Sequence, residues 1–255
     1  MERYTRALQA FEPITLQEMD RVKLLDRTDT KYVFGEGLLT ALLEEMRDAY
    51  RLLEVNGVRG VEYRTLYYDT SDLRYFHDHH NGRTFRSKVR YREYVGSDLF
   101  FLEVKRKTGR GRTNKSRIRV EGIPLVMPTE HMKFVQGVTG VNAPHLAQLW
   151  NRFTRLTFVH RVRPERLTID LGLTFEREGA RTALGPACIA ELKQEQGDAA
   201  SPFIGFMKSM GQRPSGMSKY CVGMWKLVPG MKYNAFKETL LKLARLQPAA
   251  QAISG

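Results

Sequence analysis

Between Arg86 and Glu121 the chain alternates charged and apolar positions in three successive runs: Lys88-Val-Arg90-Tyr-Arg92, Glu103-Val-Lys105-Arg-Lys107 and Lys115-Ser-Arg117-Ile-Arg119-Val-Glu121. Side chains alternate across a strand, so residues two apart share a face. Each run reads as a strand. Lys88, Arg90 and Arg92 share one face, as do Glu103, Lys105 and Lys107, and Lys115, Arg117, Arg119 and Glu121. The opposite face carries Val89, Tyr91, Leu102, Val104, Ile118 and Val120. Like charges opposite one another in adjacent strands are destabilising. Such a face is either left in water or given an anion. Three runs with few acids among the cations point toward the anion, although alternation alone leaves both readings open.

The rest of the pattern supplies more strands and several helices. Thr15-Leu-Gln-Glu18 has the form of a capping box and predicts a short helix through Leu25. Arg27, Asp29 and Lys31 share strand parity before Gly35 and Gly37 break the chain. Leu39, Leu42, Leu43 and Met46 predict an amphipathic helix over 38–50. Arg64 to Asp69 reads as a strand and 71–80 as a helical turn. Pro124 and Pro128 mark a connection, and a helix is predicted over 144–152, starting at Pro144. Strands follow at Arg155–Val159 and Arg166–Asp170, then a turn at Gly185-Pro186 and a strand with Glu191, Lys193 and Glu195 on one face. Helices are predicted over 202–210 and 231–246, and the last residues form a loose tail.

No repeat or linker interrupts the chain, so residues 1–247 are expected to form one domain, with 248–255 as a flexible tail. An antiparallel sheet buries its apolar face. If the helices cover those faces, the charged faces look at each other. The expected fold class is α+β: an antiparallel barrel or tunnel with a polar, basic interior, wrapped by helices and free of exposed edges.

Composition sharpens this picture. A net charge of +13 on 255 residues predicts an acidic partner: nucleic acid, an anionic membrane surface or a polyanionic small molecule. A hydrophobic content of 42% supports a real core and excludes global disorder. Cys188 and Cys221 are too few for a disulfide framework and read as reduced and buried. The charged N-terminus lacks the apolar stretch of a signal peptide, and no run is long enough to span a bilayer, so a soluble, cytoplasmic protein is expected.

At this point the residues resemble a known family, the VTC (vacuolar transporter chaperone) polyphosphate polymerase domain of the triphosphate tunnel metalloenzymes, a CYTH-like superfamily. The matching pieces, in order, are Arg27-Thr-Asp-Thr-Lys31-Tyr, Leu66-Tyr-Tyr-Asp69-Thr, Lys88-Val-Arg90-Tyr-Arg92, Leu102-Glu-Val-Lys105-Arg-Lys, Lys115, Arg155-Leu-Thr-Phe, Arg166-Leu-Thr-Ile-Asp170, Ala190-Glu191-Leu-Lys193 and Met217-Ser-Lys219-Tyr220. The resemblance implies an eight-stranded antiparallel tunnel whose inward cations grip a triphosphate or phosphate chain, with a divalent metal, Mn²⁺ or Mg²⁺, on inward carboxylates. It implies ATP and polyphosphate, or another triphosphate, as partners, and a phosphotransferase that passes the γ-phosphoryl group of ATP to a polyphosphate chain. Alternatives sharing the site are a tripolyphosphate or nucleoside-triphosphate hydrolase and a non-catalytic polyphosphate-binding protein. Double-stranded nucleic acid does not fit a closed tunnel; a membrane-protein partner does not conflict with the sequence.

By the same resemblance, Arg90, Arg155, Arg166 and Lys219 hold the transferring group. Lys31, Lys88, Arg92, Lys105, Lys107, Lys115, Arg117, Lys193 and Ser218 bind phosphate. Each is otherwise an ordinary surface cation or hydroxyl. Glu191 is the expected metal ligand, against a salt bridge to Lys193. Glu103 is either a second ligand or the partner that orients Lys105 and Arg90. Asp170 is open, and Glu195 and Asp170 are candidate bases for hydrolysis. His77, His79 and His80 lack a fourth ligand for zinc and read as a solvated helix end. The chain departs from the wider family's Glu-x-Glu-x-Lys strand, having Arg27-Thr-Asp29-Thr-Lys31, and carries Gly216 where a further basic residue is expected near Ser218-Lys219.

Overall fold

The three alternating runs form consecutive antiparallel strands in the computed structural model, which describes residues 2–21, 27–109, 113–195 and 200–247. They are β5 (Arg86–Tyr94), β6 (Leu99–Lys107) and β7 (Thr113–Val120). The other strands are β1 (Pro13–Ile14), β2 (Arg27–Gly35), β3 (Tyr50–Leu53), β4 (Val61–Asp69), β8 (Leu146–His160), β9 (Glu165–Arg177), β10 (Ala180–Ala183) and β11 (Ala187–Glu195). One sheet holds them all. Its main path runs β2-β11-β9-β8-β4-β5-β6-β7, with β1, β3 and β10 at its margins. Every pairing is antiparallel except the two-residue β1–β3 pair.

The expected eight strands are the main path, but they do not close. Among the described residues β2 and β7 are unpaired with each other, so the sheet is an open, curled trough and not a hydrogen-bonded barrel. The curl is tight. Glu191 of β11 and Lys105 of β6 lie five steps apart along the path, yet each charge shifts the other's titration.

Among the described residues eight helices pack on the sheet, most of them on its convex face, with α7 (Lys219–Leu227) and α8 (Lys237–Leu246) on the inner side. They are α1 (Thr5–Gln9), α2 (Leu16–Arg21), α3 (Leu39–Met46), α4 (Arg74–His80), α5 (Thr129–Thr139), α6 (Pro202–Ser209), α7 (Lys219–Leu227) and α8 (Lys237–Leu246). Tyr32, Phe34, Leu156, Phe158, Leu167, Ile169, Cys188 and Leu192 project outward and pack with Leu8, Leu39, Leu42, Leu43, Met46, Phe203 and Met207. At the other half Leu66, Tyr68, Val89, Tyr91, Leu102 and Val104 pack with Tyr75 of α4 and Val135 of α5. These are the apolar partners of the charged positions, so period-two alternation places cations on the concave side. The capping box forms: the Thr15 amide donates to Glu18 Oε2 at 2.9 Å and the Glu18 amide to Thr15 Oγ1 at 3.3 Å. The remainder of the predicted 15–25 helix, and the 248–255 tail, lie outside the described residues.

The helix predicted over 144–152 is overturned. Residues 146–152 are strand, not helix: Thr65 pairs with Asn151 and Leu66 with Trp150. Leu146, Leu149 and Trp150 mimic helical spacing, but the β4 and β9 edges on either side take this segment's backbone groups. Helices α1, α5 and α7 and strands β1, β3 and β10 were not anticipated, the helix expected over 38–50 ends at Met46, and the last helix starts at Lys237 instead of 231.

A bulge then changes what the concave face carries. The β8–β9 register shifts between Arg152 and Thr154, opposite Gly172 in β9, whose φ is 61°. One extra residue reverses side-chain parity beyond that point. Asp170 faces inward and Leu171 outward; after Gly172, Leu173 and Phe175 turn to the inner side, where they pack against α7.

Candidate phosphate-binding basin

The concave face divides into an apolar floor and a charged basin. Val33, Leu149, Leu173, Phe175 and Ile189 form one cluster with Tyr220, Cys221 and Met224 of α7 and Leu240 and Leu243 of α8. Helix α7 sits directly on the strands. A Cβ added to Gly223 would lie 2.5 Å from both Leu149 Cδ2 and Phe175 Cδ1, so only glycine fits there. The trough is therefore filled at this end. The same helix is tied to the sheet by Asp69, which is fully buried. Its carboxylate accepts from the Thr70, Tyr75 and Phe76 amides and from the Tyr220 hydroxyl, at 2.8–2.9 Å. Asp69 thus caps α4 and anchors α7.

That anchoring delivers Ser218 and Lys219 into the basin. Ser218 caps α7, accepting from the Cys221 amide at 3.3 Å, and Lys88 Nζ donates to its hydroxyl at 3.0 Å. Lys219 Nζ pairs with Asp170 and lies 4.5 Å from the Phe153 ring centre. Arg155 forks onto the same carboxylate, Nε to Oδ1 at 2.6 Å and Nη2 to Oδ2 at 2.8 Å. Burial pulls the Asp170 carboxyl up, but Arg155 and Lys219 outweigh it and hold the group at about 2. Asp170, open on sequence alone, is a partner that fixes two cations.

Glu103 does the same on the other wall. It is fully buried and accepts from Arg90 Nε and Nη2 at 2.9 and 2.7 Å, with Arg92 at 3.8 Å and Lys115 also paired. Register explains the cluster, since Arg90 and Arg117 are its cross-strand neighbours. Three cations on one buried carboxylate fit the orienting role.

Lys105 differs from the rest. Lys88 and Lys115 flank it in register, and among the described residues no carboxylate lies within ion-pair distance of it. Arg90 and burial push its ammonium down to about 6. A cationic pit without enough carboxylate is what an anion completes.

The third group, on β2 and β11, is looser. Lys31 Nζ is 2.9 Å from Glu191 Oε1; Lys193 Nζ is 2.9 Å from Asp29 Oδ2 and 3.4 Å from Glu191 Oε2. Burial opposes ionisation of Glu191, but Lys31, Lys193 and Lys105 hold it ionised far below the usual carboxylate range. Its side chain is 20% exposed, against 0% for Glu103 and 3% for Asp170.

The remaining expected residues lie at the margins. Arg166 shares the inner parity of Asp170 but donates to the Met19 carbonyl at 2.7 Å, reaching toward α2. Lys107 is half-buried at the α4 side, where its charge, behind burial, Lys88 and Arg86, helps hold His79 at about 2. Arg117 is exposed, with its guanidinium 4.8 Å above the Phe101 ring. The histidines do not make a solvated helix end: His79 and His80 are half-buried against Phe236. Cys188 and Cys221 are free and buried, as expected.

Sequence reasoning passed over the aromatic wall. Tyr63 and Phe153 stack at 5.3 Å, Arg92 and Arg155 lie 5.0 and 5.1 Å from the Tyr63 ring, and the Tyr67 hydroxyl sits 3.5 Å from Arg90 Nη1. Tyr63, Thr65 and Tyr67 alternate inward along β4; a two-faced reading of Arg64–Asp69 would have placed Thr65 and Tyr67, and one extended a residue back would have placed Tyr63.

For a divalent ion, the donor set is thin. Among the described residues no three carboxylates, histidines or cysteines converge. Glu191 fits best: it is partly exposed, and its partners are flexible lysines that can swing onto phosphate. Glu103, enclosed by three cations, does not fit.

The open, curled sheet of eight antiparallel strands is a fold shared with proteins of known structure. Across 80% of this chain and 97% of the other, it superposes on a candidate adenylate cyclase from Bacillus halodurans with a TM-score of 0.51 at 11% identity. A candidate adenylyl cyclase from Hippeastrum with a dominant triphosphatase activity follows over 80% of this chain and 98% of its own, with a TM-score of 0.48 at 17% identity. No curated protein matches the chain. More specifically, residues 26–128, from the segment entering β2 to the connection before α5, match the VTC domain, the family that the sequence motifs resemble.

Proposed function

We propose that this chain is a phosphotransferase that takes the triphosphate end of ATP, or of a polyphosphate, into the basin and transfers the terminal phosphoryl group to a polyphosphate chain. A terminal oxygen of the acceptor attacks the γ-phosphorus, the bond from the γ-phosphorus to the bridging oxygen breaks, and ADP leaves with that oxygen. The observation that carries the reading is Lys105: a half-buried lysine ringed by Lys88, Arg90, Arg92 and Lys115, in a pit with too little carboxylate to neutralise it.

The chemistry asks for position and charge more than for a nucleophile. Arg90 and Arg155 are held rigidly by Glu103 and Asp170, which suits a bidentate grip on phosphate oxygens. Lys219, with Ser218 and Lys88 beside it, meets the ligand from the α7 side. Lys31, Lys193, Arg92, Lys105 and Lys115 take the rest of the chain, and Arg166 and Lys107 stand at the edges. A divalent ion, Mn²⁺ or Mg²⁺, held by Glu191 would neutralise charge on phosphate oxygens. The setting expected for such a protein is the cytoplasm.

A second reading, hydrolysis with water as acceptor, is favoured by the α7–α8 floor, which suits a short ligand. Incubating the protein with ATP and Mn²⁺, with and without a short polyphosphate primer, separates the two. Long chains plus ADP, lost in Glu191→Gln and Arg90→Ala, support transfer. Free phosphate without chains assigns hydrolysis. Binding without turnover under any divalent ion leaves a receptor.

A further inference from the structure

Four aromatic rings cross the concave face in sequence. Phe153 of β8 stacks on Tyr63 of β4 at 5.3 Å; Tyr63 meets Tyr94 of β5 at 4.8 Å; Tyr94 meets Phe101 of β6 at 5.9 Å. Cations lie over them: Arg155 and Lys219 over Phe153, Arg92 and Arg155 over Tyr63, Arg117 over Phe101. The inner pair is sealed, Phe153 at 2% exposure and Tyr63 at 8%. The outer end differs. Tyr94 and Phe101 are half-buried and Arg117 is exposed.

Arg117 is unlike the other basin arginines. Glu103 is its cross-strand neighbour, but that carboxylate goes to Arg90, Arg92 and Lys115. Among the described residues Arg117 has no carboxylate within ion-pair distance, and its guanidinium rests on the Phe101 ring at 4.8 Å. A guanidinium laid over a ring at a solvent-facing rim is a stack that a third planar group can join or enter. Phe101 is also the direct register partner of Arg92, which faces the phosphate pit. The next inward residue of β6, Glu103, lies two positions on, about 6.6 Å along the strand. The rim ring and the first basin cations are therefore one ribose-sized step apart.

We propose that Phe101 and Arg117 form a stacking platform for the base of a nucleoside 5′-triphosphate whose phosphates lie in the basin. This rests on the triphosphate reading above and deepens it, because it makes the nucleotide, and not inorganic tripolyphosphate, the ligand that the rim is built for. Stacking on a ring is tolerant of base identity, so purine nucleotides bind alike.

The test is calorimetric titration of the full chain with ATP, GTP and inorganic tripolyphosphate, for the wild type, Phe101→Leu and Arg117→Ala. Arg117 is exposed, so its variant folds even if the Phe101 change disturbs β6. Loss of one base–aromatic stack is worth roughly tenfold or more in affinity. Both variants are expected to lower the ratio of ATP to tripolyphosphate affinity by about that factor, with GTP moving with ATP. An unchanged ratio, with both ligands weakened equally or not at all, overturns the platform but leaves the triphosphate reading standing. A wild type that binds none of the three ligands overturns both.

Discussion

Glu103→Gln isolates the electrostatic logic of the basin. The substitution keeps the size of the side chain and removes one negative charge from a fully buried site that pairs with Arg90, Arg92 and Lys115. Breaking a buried ion cluster from one side leaves uncompensated charge and costs about 3–5 kcal/mol. For a chain of this size each kcal/mol moves the melting temperature by roughly 2–4 °C, so a fall of about 6–20 °C is expected. Thermal and urea unfolding, with and without tripolyphosphate, would measure it. Saturating ligand at 100 Kd adds about 2.7 kcal/mol to any folded state. Because the freed cations have lost their internal competitor, tripolyphosphate should bind the variant more tightly than the wild type and restore more stability. A metal-ligand role predicts weaker binding instead. A stability loss below about 1 kcal/mol, or a smaller ligand rescue than in the wild type, would refute the argument.

Four further outcomes follow from the same geometry. Asp170 is held at about 2, below its unfolded value of 3.8, so its contribution is complete above pH 4 and is lost as pH falls toward 2; Asp170→Asn should flatten that part of the stability profile. Lys105 titrates at about 6 when folded and 10.5 when unfolded; the unfolded chain holds the extra proton between those values, so stability should rise with pH across that window, and Lys105→Met should remove the slope. Tripolyphosphate binding near pH 7.5 should also take up a proton on Lys105, visible as a buffer-dependent calorimetric heat that the same variant loses. Gly223→Ala would force a Cβ to 2.5 Å from Leu149 and Phe175, costing about 1–3 kcal/mol by overpacking and shifting Ser218 and Lys219, so a lower melting temperature should accompany weaker triphosphate binding.

What could be read from the sequence was whatever period-two alternation encodes. The charged runs on β5, β6 and β7, and the inward residues of β2, β9 and β11, are consecutive local patterns, and each ended on the concave face. What could not be read depends on partners distant in sequence. Residues 146–152 carry a helical spacing that pairing with β4 and β9 overrides. The floor needs α7 and α8 to meet strands through a bulge at Gly172, and nothing local announces that Leu173 and Phe175 reverse direction there. Whether β2 meets β7 depends on accumulated twist along eight strands. Glu103 and Asp170 were visible as acids among cations, but only their pairing geometry distinguishes holding an arginine from holding a metal.

The floor laid by α7 and α8 has a kinetic meaning under the proposed activity. A passage open at both ends could grip a polymer anywhere along its length and slide. A trough floored at one end by α7 and α8 favours termini. The effective substrate concentration is then the number of chain ends, not the mass of phosphate. Cutting a fixed amount of polyphosphate into pieces a tenth as long would present ten times as many ends, and each event would finish with release.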